Sequence, residues 1–263
     1  MHVIISFALT VIRADRRTPA LWRHNRTMSQ LGHRSPVHEA LVDRLGAAIV
    51  SGEHPAGSRL VTAELADAAG ASRSTAREAV RVLESLGLVA ARRKAGVEVL
   101  PSDRWNVYAP EVIAWRLGGA ERDRQLRELS QLRSAVEPLA ARLAAASASD
   151  EQRQRLASAV VEMARSEHDA DGADYLSADI LFHRTLLESS GNTMLAALAG
   201  SVAAVLVGRT HHDLMPHDAN PDAVRWHHDV AFAVASGRGG EAAEAMQRIV
   251  AEADEAMQRR RGA

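Results

Sequence analysis

Residues 62–99, TAELADAAGASRSTAREAVRVLESLGLVAARRKAGVEV, constrain the fold of this chain more than any other stretch. Leu65, Ala66 and Ala69 mark one short helical face, Gly70 breaks it, and Ser72 opens a second helix with Ala76, Val80, Leu83 and Leu86 facing inward. Beyond Gly87, LVAARRKAGVEVL alternates as two short strands turning around Lys94 to Gly96. Two helices, a tight turn and a basic hairpin define a winged helix-turn-helix, a shape whose second helix fits the major groove of DNA. Leu41, Leu45 and Ile49 recur every four residues, so a supporting helix is expected over residues 37–50. In the GEHPAGSRL that follows, Gly and Pro make a turn, and Arg59 to Val61 can add a short strand to the wing.

The second helix leaves Arg73, Ser74, Thr75, Arg77 and Arg81 outside. Guanidinium forks match guanine edges, while hydroxyls and the N–H groups of a positive helix end match phosphates. Arg92, Arg93 and Lys94 near the hairpin tip can reach a phosphate or a minor groove. Thr75 and Glu78 have the spacing of a capping box. The plainer alternative is that these arginines merely solvate a helix face, but turn, cap and hairpin agree on one DNA-binding geometry.

Charge supports a local rather than a global footprint. Residues 1–35 carry six Arg and one Asp, residues 36–104 carry nine charges of each sign, and the remainder carries 17 basic and 23 acidic groups. A neutral DNA-binding segment must concentrate its cations on one face. The chain has no Cys, which removes disulfides, thiol nucleophiles and thiolate metal sites and fits a reducing cytoplasm. The apolar run over residues 3–12 is too short to cross a bilayer and lacks a basic segment before it, so no membrane anchor is expected.

These patterns predict a mostly α chain: an N-terminal winged helix-turn-helix with a small β wing, then an all-helical bundle. Residues 1–35 read as a flexible basic arm or a misassigned extension, with Met28 as an alternative start. The winged domain spans residues 36–100 and a linker spans 101–120, where Trp105 and Trp115 are expected to pin the two domains together. Residues 121–260 form an Ala- and Leu-rich bundle of about six helices.

Within that bundle, Asp179 and His183 stand four apart on one helical face and can hold one cation or form a plain salt bridge. Arg133 sits on a helix whose Leu132, Val136, Leu139 and Leu143 are expected in the core. Its charge needs a partner, either a ligand carboxylate or Glu137 one turn on. The loop THHDLMPHDANPD carries three His and three Asp, a second possible metal site or a solvated loop.

GEHPAGSRL, LADAAGASRSTAREAVRVLESLGLV and Gly96 resemble the GntR family of bacterial transcription regulators. LRSAVEPLAARLAA, DILFH with SSGN, and HHDVAFAVASG resemble the FCD ligand domain of its FadR-like branch, and WNVYAPEVIAW is similar to the sugar-acid regulators within it. The resemblance places Ser72, Arg73, Ser74, Thr75, Arg77 and Gly96 on DNA-contacting positions, whereas Ala63 stands where the family carries a DNA-binding arginine. It turns Asp179, His183 and His227 into a set for Zn, Ni or Mn, with His227 rather than His228 in register. Ile249, or its neighbour Val250, falls where many relatives place a further His, so a fourth protein ligand is missing: the site binds metal more weakly through three residues, or the effector completes it, or His211, His212 or His217 swings in. By the same resemblance residues 121–260 become the effector-binding and dimerisation domain, Arg133 a clamp for an effector carboxylate and His211 a pocket residue.

Together these imply a cytoplasmic repressor that binds a double-stranded, palindromic operator as a homodimer and responds to a small carboxylate such as a sugar acid. The rival reading is a helical-bundle metalloenzyme with an accessory DNA module, in which Asp179, His183 and His227 hold an activated water. It lacks a general base.

Overall fold

The structure, a computed structural model, describes residues 35–92, 96–212 and 214–261. The basic arm up to residue 34, with its apolar run, and the wing-tip residues Arg93 and Lys94 lie outside the described residues.

Helix α1 (Pro36–Val50) starts with Ser35 capping the His38 N–H and Pro at its first turn, a pairing of cap and fixed φ that suits a helix start. Leu41, Leu45 and Ile49 are buried on its inner face, as their spacing requires. Strand β1 (Arg59–Leu60) leads into α2 (Thr62–Ala68) and α3 (Arg73–Ser85), the helix-turn-helix pair. Between them Gly70 takes a φ of +59°, a left-handed value cheap for glycine, and lets the chain reverse within three residues.

The cap of α3 lies one turn earlier than the Thr75–Glu78 spacing indicates. Ser72 accepts from the Thr75 N–H at 3.0 Å, while Glu78 pairs with Arg81 instead of reaching back. On the inner face Ala76, Ala79, Val80 and Leu83 are buried, and Leu86 ends the helix half-buried.

Strands β2 (Val89–Arg92) and β3 (Gly96–Val99) form the wing. The sheet order is β1-β3-β2, all antiparallel, with Leu60 opposite Val97 and Val89 opposite Val99. Period-two alternation sends Val97 and Val99 into the core and leaves Glu98 to meet Arg92 at 3.0 Å on the outer face.

Residues 101–120 are more ordered than a linker. Helix α4 (Pro110–Leu117) occupies their second half and belongs to two cores at once. Val112 and Trp115 pack with the winged domain, Trp115 against Gly46 of α1, where any side chain would collide with the indole. Ile113 and Leu117 pack with Leu126, Leu129 and Val205 of the bundle. Trp105 also joins the winged core and donates its indole N–H to the Leu100 carbonyl. The pinning is therefore done by α4 as a whole, with both tryptophans packed into the winged core.

The bundle contains, among the described residues, α5 (Arg122–Ser147), α6 (Asp150–Arg165), α7 (Ala173–Glu188), α8 (Thr193–Ala197), α9 (Ala199–His211), α10 (Pro221–Ala235) and α11 (Gly239–Arg261). Residues 193–211 are apolar enough to cross a membrane by length and composition, yet 61% of that span is buried within the bundle.

The face that α5 buries differs from the leucine stripe expected of it. Leu139 is exposed and Leu132, Val136 and Leu143 are half-buried, whereas Arg133, Glu137, Ala140, Ala141, Ala144 and Ala145 point inward. Ala141 and Ala144 let α11 approach closely along this seam, and the larger leucines are displaced to its flank.

Candidate functional site

Two regions of the structure have the chemistry of a site. The first is the outer face of α3. Arg73, Ser74, Arg77 and Arg81 are exposed there, Thr75 is half-buried, and Ser72 is occupied as the cap. Arg73 and Arg77 form no ion pair with any described residue, so both cations stand available at the electropositive end of the helix. Arg81 is held by Glu78 at 2.7 Å, an exposed pair worth at most about 1 kcal/mol and easily given up. Gly96 opens β3 with a φ of +84° and a Cβ position against the Leu60 carbonyl, so glycine is required there by the wing itself. Ala63, in place of a family arginine, lies half-buried on α2 and carries no charge toward this face.

The second region lies inside the bundle. Asp179 and His183 project from α7 and His227 from α10, all three buried, with one donor atom from each within 4.8 Å of the others. His183 Nε2 is 3.1 Å from Asp179 Oδ1, and His227 Nε2 is 3.7 Å from the same oxygen. His227 Nδ1 donates to the Ala223 carbonyl at 2.7 Å, which fixes the tautomer and leaves Nε2 as a buried acceptor without a hydrogen-bond partner. His228, its neighbour, is exposed beside Asp229. Phe182 closes one side, edge-on to both imidazoles, with ring centroids 5.5 and 4.9 Å away.

Behind His183 stand Arg133 and Glu137. Arg133 grips both Glu137 oxygens, at 2.7 and 3.3 Å, and its Nη2 is 3.4 Å from His183 Nε2. Glu137 Oε2 lies 2.9 Å from His183 Nδ1, close but bent away from hydrogen-bond geometry. The salt-bridge partner of Arg133 foreseen in the sequence is thus in place.

The electrostatics follow from this packing. Burial opposes ionisation of Asp179, but the hydrogen bond from His183 and the two imidazoles that face it outweigh that and hold the carboxyl well below its usual range. Burial likewise penalises the His183 imidazolium, yet Glu137 and Asp179 raise its pKa above 6.5. A carboxylate that stays charged and two imidazoles with inward nitrogens are donors that suit Zn, Ni or Mn. The unpartnered His227 Nε2 is the observation that fits a cation here.

Ile249 and Val250, where relatives place a further His, are buried in the apolar cluster with Phe182 and Leu186. His211 ends α9 half-buried, and burial lowers its pKa. His217 turns outward to Asp171 at 2.8 Å, and Asp218 meets His168 at 3.1 Å. These pairs tie two exposed loops together. Arg209 and Tyr175, which sequence patterns did not single out, are buried near Asp179, whose charge favours the Arg209 cation and, with burial, raises the pKa of the Tyr175 phenol. For Arg209 the missed signal was a lone cation in the apolar run AGSVAAVLVGRT.

A winged DNA-reading domain joined through a shared helix to a helical ligand bundle defines a ligand-responsive transcription regulator. Residues 34–99 match the bacterial regulatory proteins of the gntR family and residues 128–252 match the FCD domain. The galactonate operon transcriptional repressor of Escherichia coli is 30% identical over 207 residues, covering 78% of this chain and 90% of that protein. The regulator LutR of Bacillus subtilis is 28% identical over 204 residues, covering 75% and 90%. A solved structure of Lar, a regulator of the agr system of Listeria monocytogenes, shares the fold with a TM-score of 0.53 at 17% identity, over 87% of this chain and 99% of that one. This chain belongs to the GntR family of transcription regulators and carries an FCD effector domain. The family consists of regulators and not enzymes, which disposes of the metalloenzyme reading.

Proposed function

We propose that the chain is a cytoplasmic, metal-dependent repressor that binds a palindromic DNA operator as a homodimer and is released by a small carboxylate, with sugar acids as the leading class. The carrying observation is the buried Asp179, His183 and His227 set with its unpartnered imidazole nitrogen. The similarity to a galactonate operon repressor supports the sugar-acid class.

Asp179, His183 and His227 would hold the divalent ion, Zn, Ni or Mn, which supplies a Lewis-acid docking point for a carboxylate. The Ala223 carbonyl orients His227, and Glu137 stands behind His183. Arg133, at the edge of this set, is placed to share its guanidinium between Glu137 and a ligand carboxylate. His211, at the end of α9, borders the ligand as a hydrogen-bonding group.

At the other end of the molecule Arg73, Arg77 and Arg81 read base edges, and Ser72, Ser74, Thr75 and Gly96 lie against the phosphate backbone. Helix α4 connects the two, so ligand-dependent packing of α5 and α9 around Ile113 and Leu117 biases the placement of the winged domains on their half-sites.

The test combines both ends. Replacing Asp179, His183 and His227 by Ala should remove bound metal from the purified protein and abolish its thermal stabilisation by galactonate. Metal retained at full stoichiometry would sink the assignment. Arg77→Ala should weaken operator binding at fixed salt by roughly 1–3 kcal/mol while leaving the protein folded.

A further inference from the structure

Among the described residues, Arg209 is a buried cation with no anion in contact. The stretch of α9 before it is apolar, running Val202, Ala203, Ala204, Val205, Leu206, Val207 and Gly208. The side chain is 6% exposed, yet among the described residues its polar contact is a 3.5 Å approach of Nη2 to the Met215 sulfur, a weak acceptor. Its Nε has no hydrogen-bond partner among the described residues.

The other buried arginines behave differently. Arg133 holds Glu137, and Arg116 holds Glu121 and Glu128. Uncompensated buried charge is strongly unfavourable, and a purely structural arginine at this depth is expected to have a carboxylate within reach. Arg209 instead is penalised by its burial and feels Arg133, which opposes its charge, and Asp179 and Glu252, which favour it without contacting it. Of these, Glu252 already meets Arg259 at 3.6 Å.

Charge balance in the bundle sharpens the point. Arg133 and Glu137 cancel. Asp179 against a divalent ion leaves one positive charge, and Arg209 adds a second. A ligand with one carboxylate neutralises half of this, whereas one with two neutralises all of it.

Resting on the metal and carboxylate reading above, we infer that Arg209 is a second anion anchor of the effector site and that the effector is a sugar dicarboxylate. One carboxylate meets the Asp179, His183 and His227 centre and the other meets the Arg209 guanidinium.

The experiment uses full-length protein loaded with zinc and three pairs of probes: threonate with tartrate, gluconate with glucarate, and galactonate with galactarate. Each pair shares a carbon number and differs at the terminal carbon, CH2OH in one and carboxylate in the other. By calorimetry a diacid should bind roughly ten- to a hundredfold more tightly than its partner, the worth of one charged hydrogen-bonded contact. Arg209→Gln should erase that preference and leave the monoacid affinity unchanged, and Arg209→Lys should recover part of it. Ligand-free Arg209→Gln should melt higher than wild type, because it loses a buried charge with no partner.

A lower melting temperature for ligand-free Arg209→Gln would show a structural role and overturn the inference. So would monoacids that bind as tightly as diacids and ignore the substitution. If no sugar acid of either kind binds zinc-loaded protein, the carboxylate reading of the site fails, a result distinct from loss of the Arg209 preference alone.

Discussion

At the scale of single residues, the interior of the bundle is governed by Glu137. Burial raises the cost of its charge, but Arg133 beside it and His183 behind it outweigh that cost and hold its pKa at about 2, against an ordinary 4.5. A carboxyl with a depressed pKa stabilises the fold fully above 4.5 and loses that contribution as pH falls through about 2. Urea midpoints of the wild type should therefore drop steeply over this window, and those of Glu137→Gln should drop less. At pH 7 the same substitution strands Arg133 as a buried cation, and a loss of about 3–5 kcal/mol in unfolding free energy is expected. A midpoint within error of wild type would mean that Arg133 finds another partner.

At the scale of elements, α3 and α5 show what a sequence displays and what it hides. The position and length of α3 follow from Gly70, Ser72 and the spacing of Ala76, Val80 and Leu83, all visible in the chain. Its cap did not, because Ser72 and Thr75 both stand three residues before a plausible partner, and the turn geometry chooses Ser72. Ser72→Ala should cost about 1 kcal/mol and loosen the first turn of the helix, which also carries Arg73 and Arg77. Hydrogen exchange confined to residues 73–76 would register it, and unchanged protection there would show that the Ser72 hydroxyl contributes nothing.

For α5 the helical period was legible and the buried face was not. Hydrophobicity favours Leu132, Val136, Leu139 and Leu143, but the close seam with α11 selects Ala141 and Ala144, Ala140 packs against α7 and α9, and Arg133 and Glu137 are admitted beside His183 because they satisfy each other. The pairing of Asp179 and His183 on one face of α7 was legible from their four-residue spacing. His227 needed the family pattern, and Arg209 gave no periodic signal to follow.

At the scale of the whole molecule, the two cores meet on one short helix. Val112 and Trp115 of α4 belong to the first core and Ile113 and Leu117 to the second, and the Ser201 hydroxyl of α9 donates to the Tyr108 carbonyl just before it at 2.6 Å. The wild type should accordingly unfold in a single calorimetric transition. Trp115→Ala, which empties the contact at Gly46, should cost about 3–5 kcal/mol and split the transition in two. Two transitions in the wild type would show that α4 does not couple the cores.

This sharing also decides where the chain can be cut. A fragment ending at residue 100 leaves open the seats that Ala109, Val112 and Trp115 fill in the winged core. A fragment ending at residue 118 carries Ile113 and Leu117 bare into water. Exchange of sensors between relatives therefore has no clean seam here: a hybrid inherits α4 from one parent and must refit half of its side chains to the other.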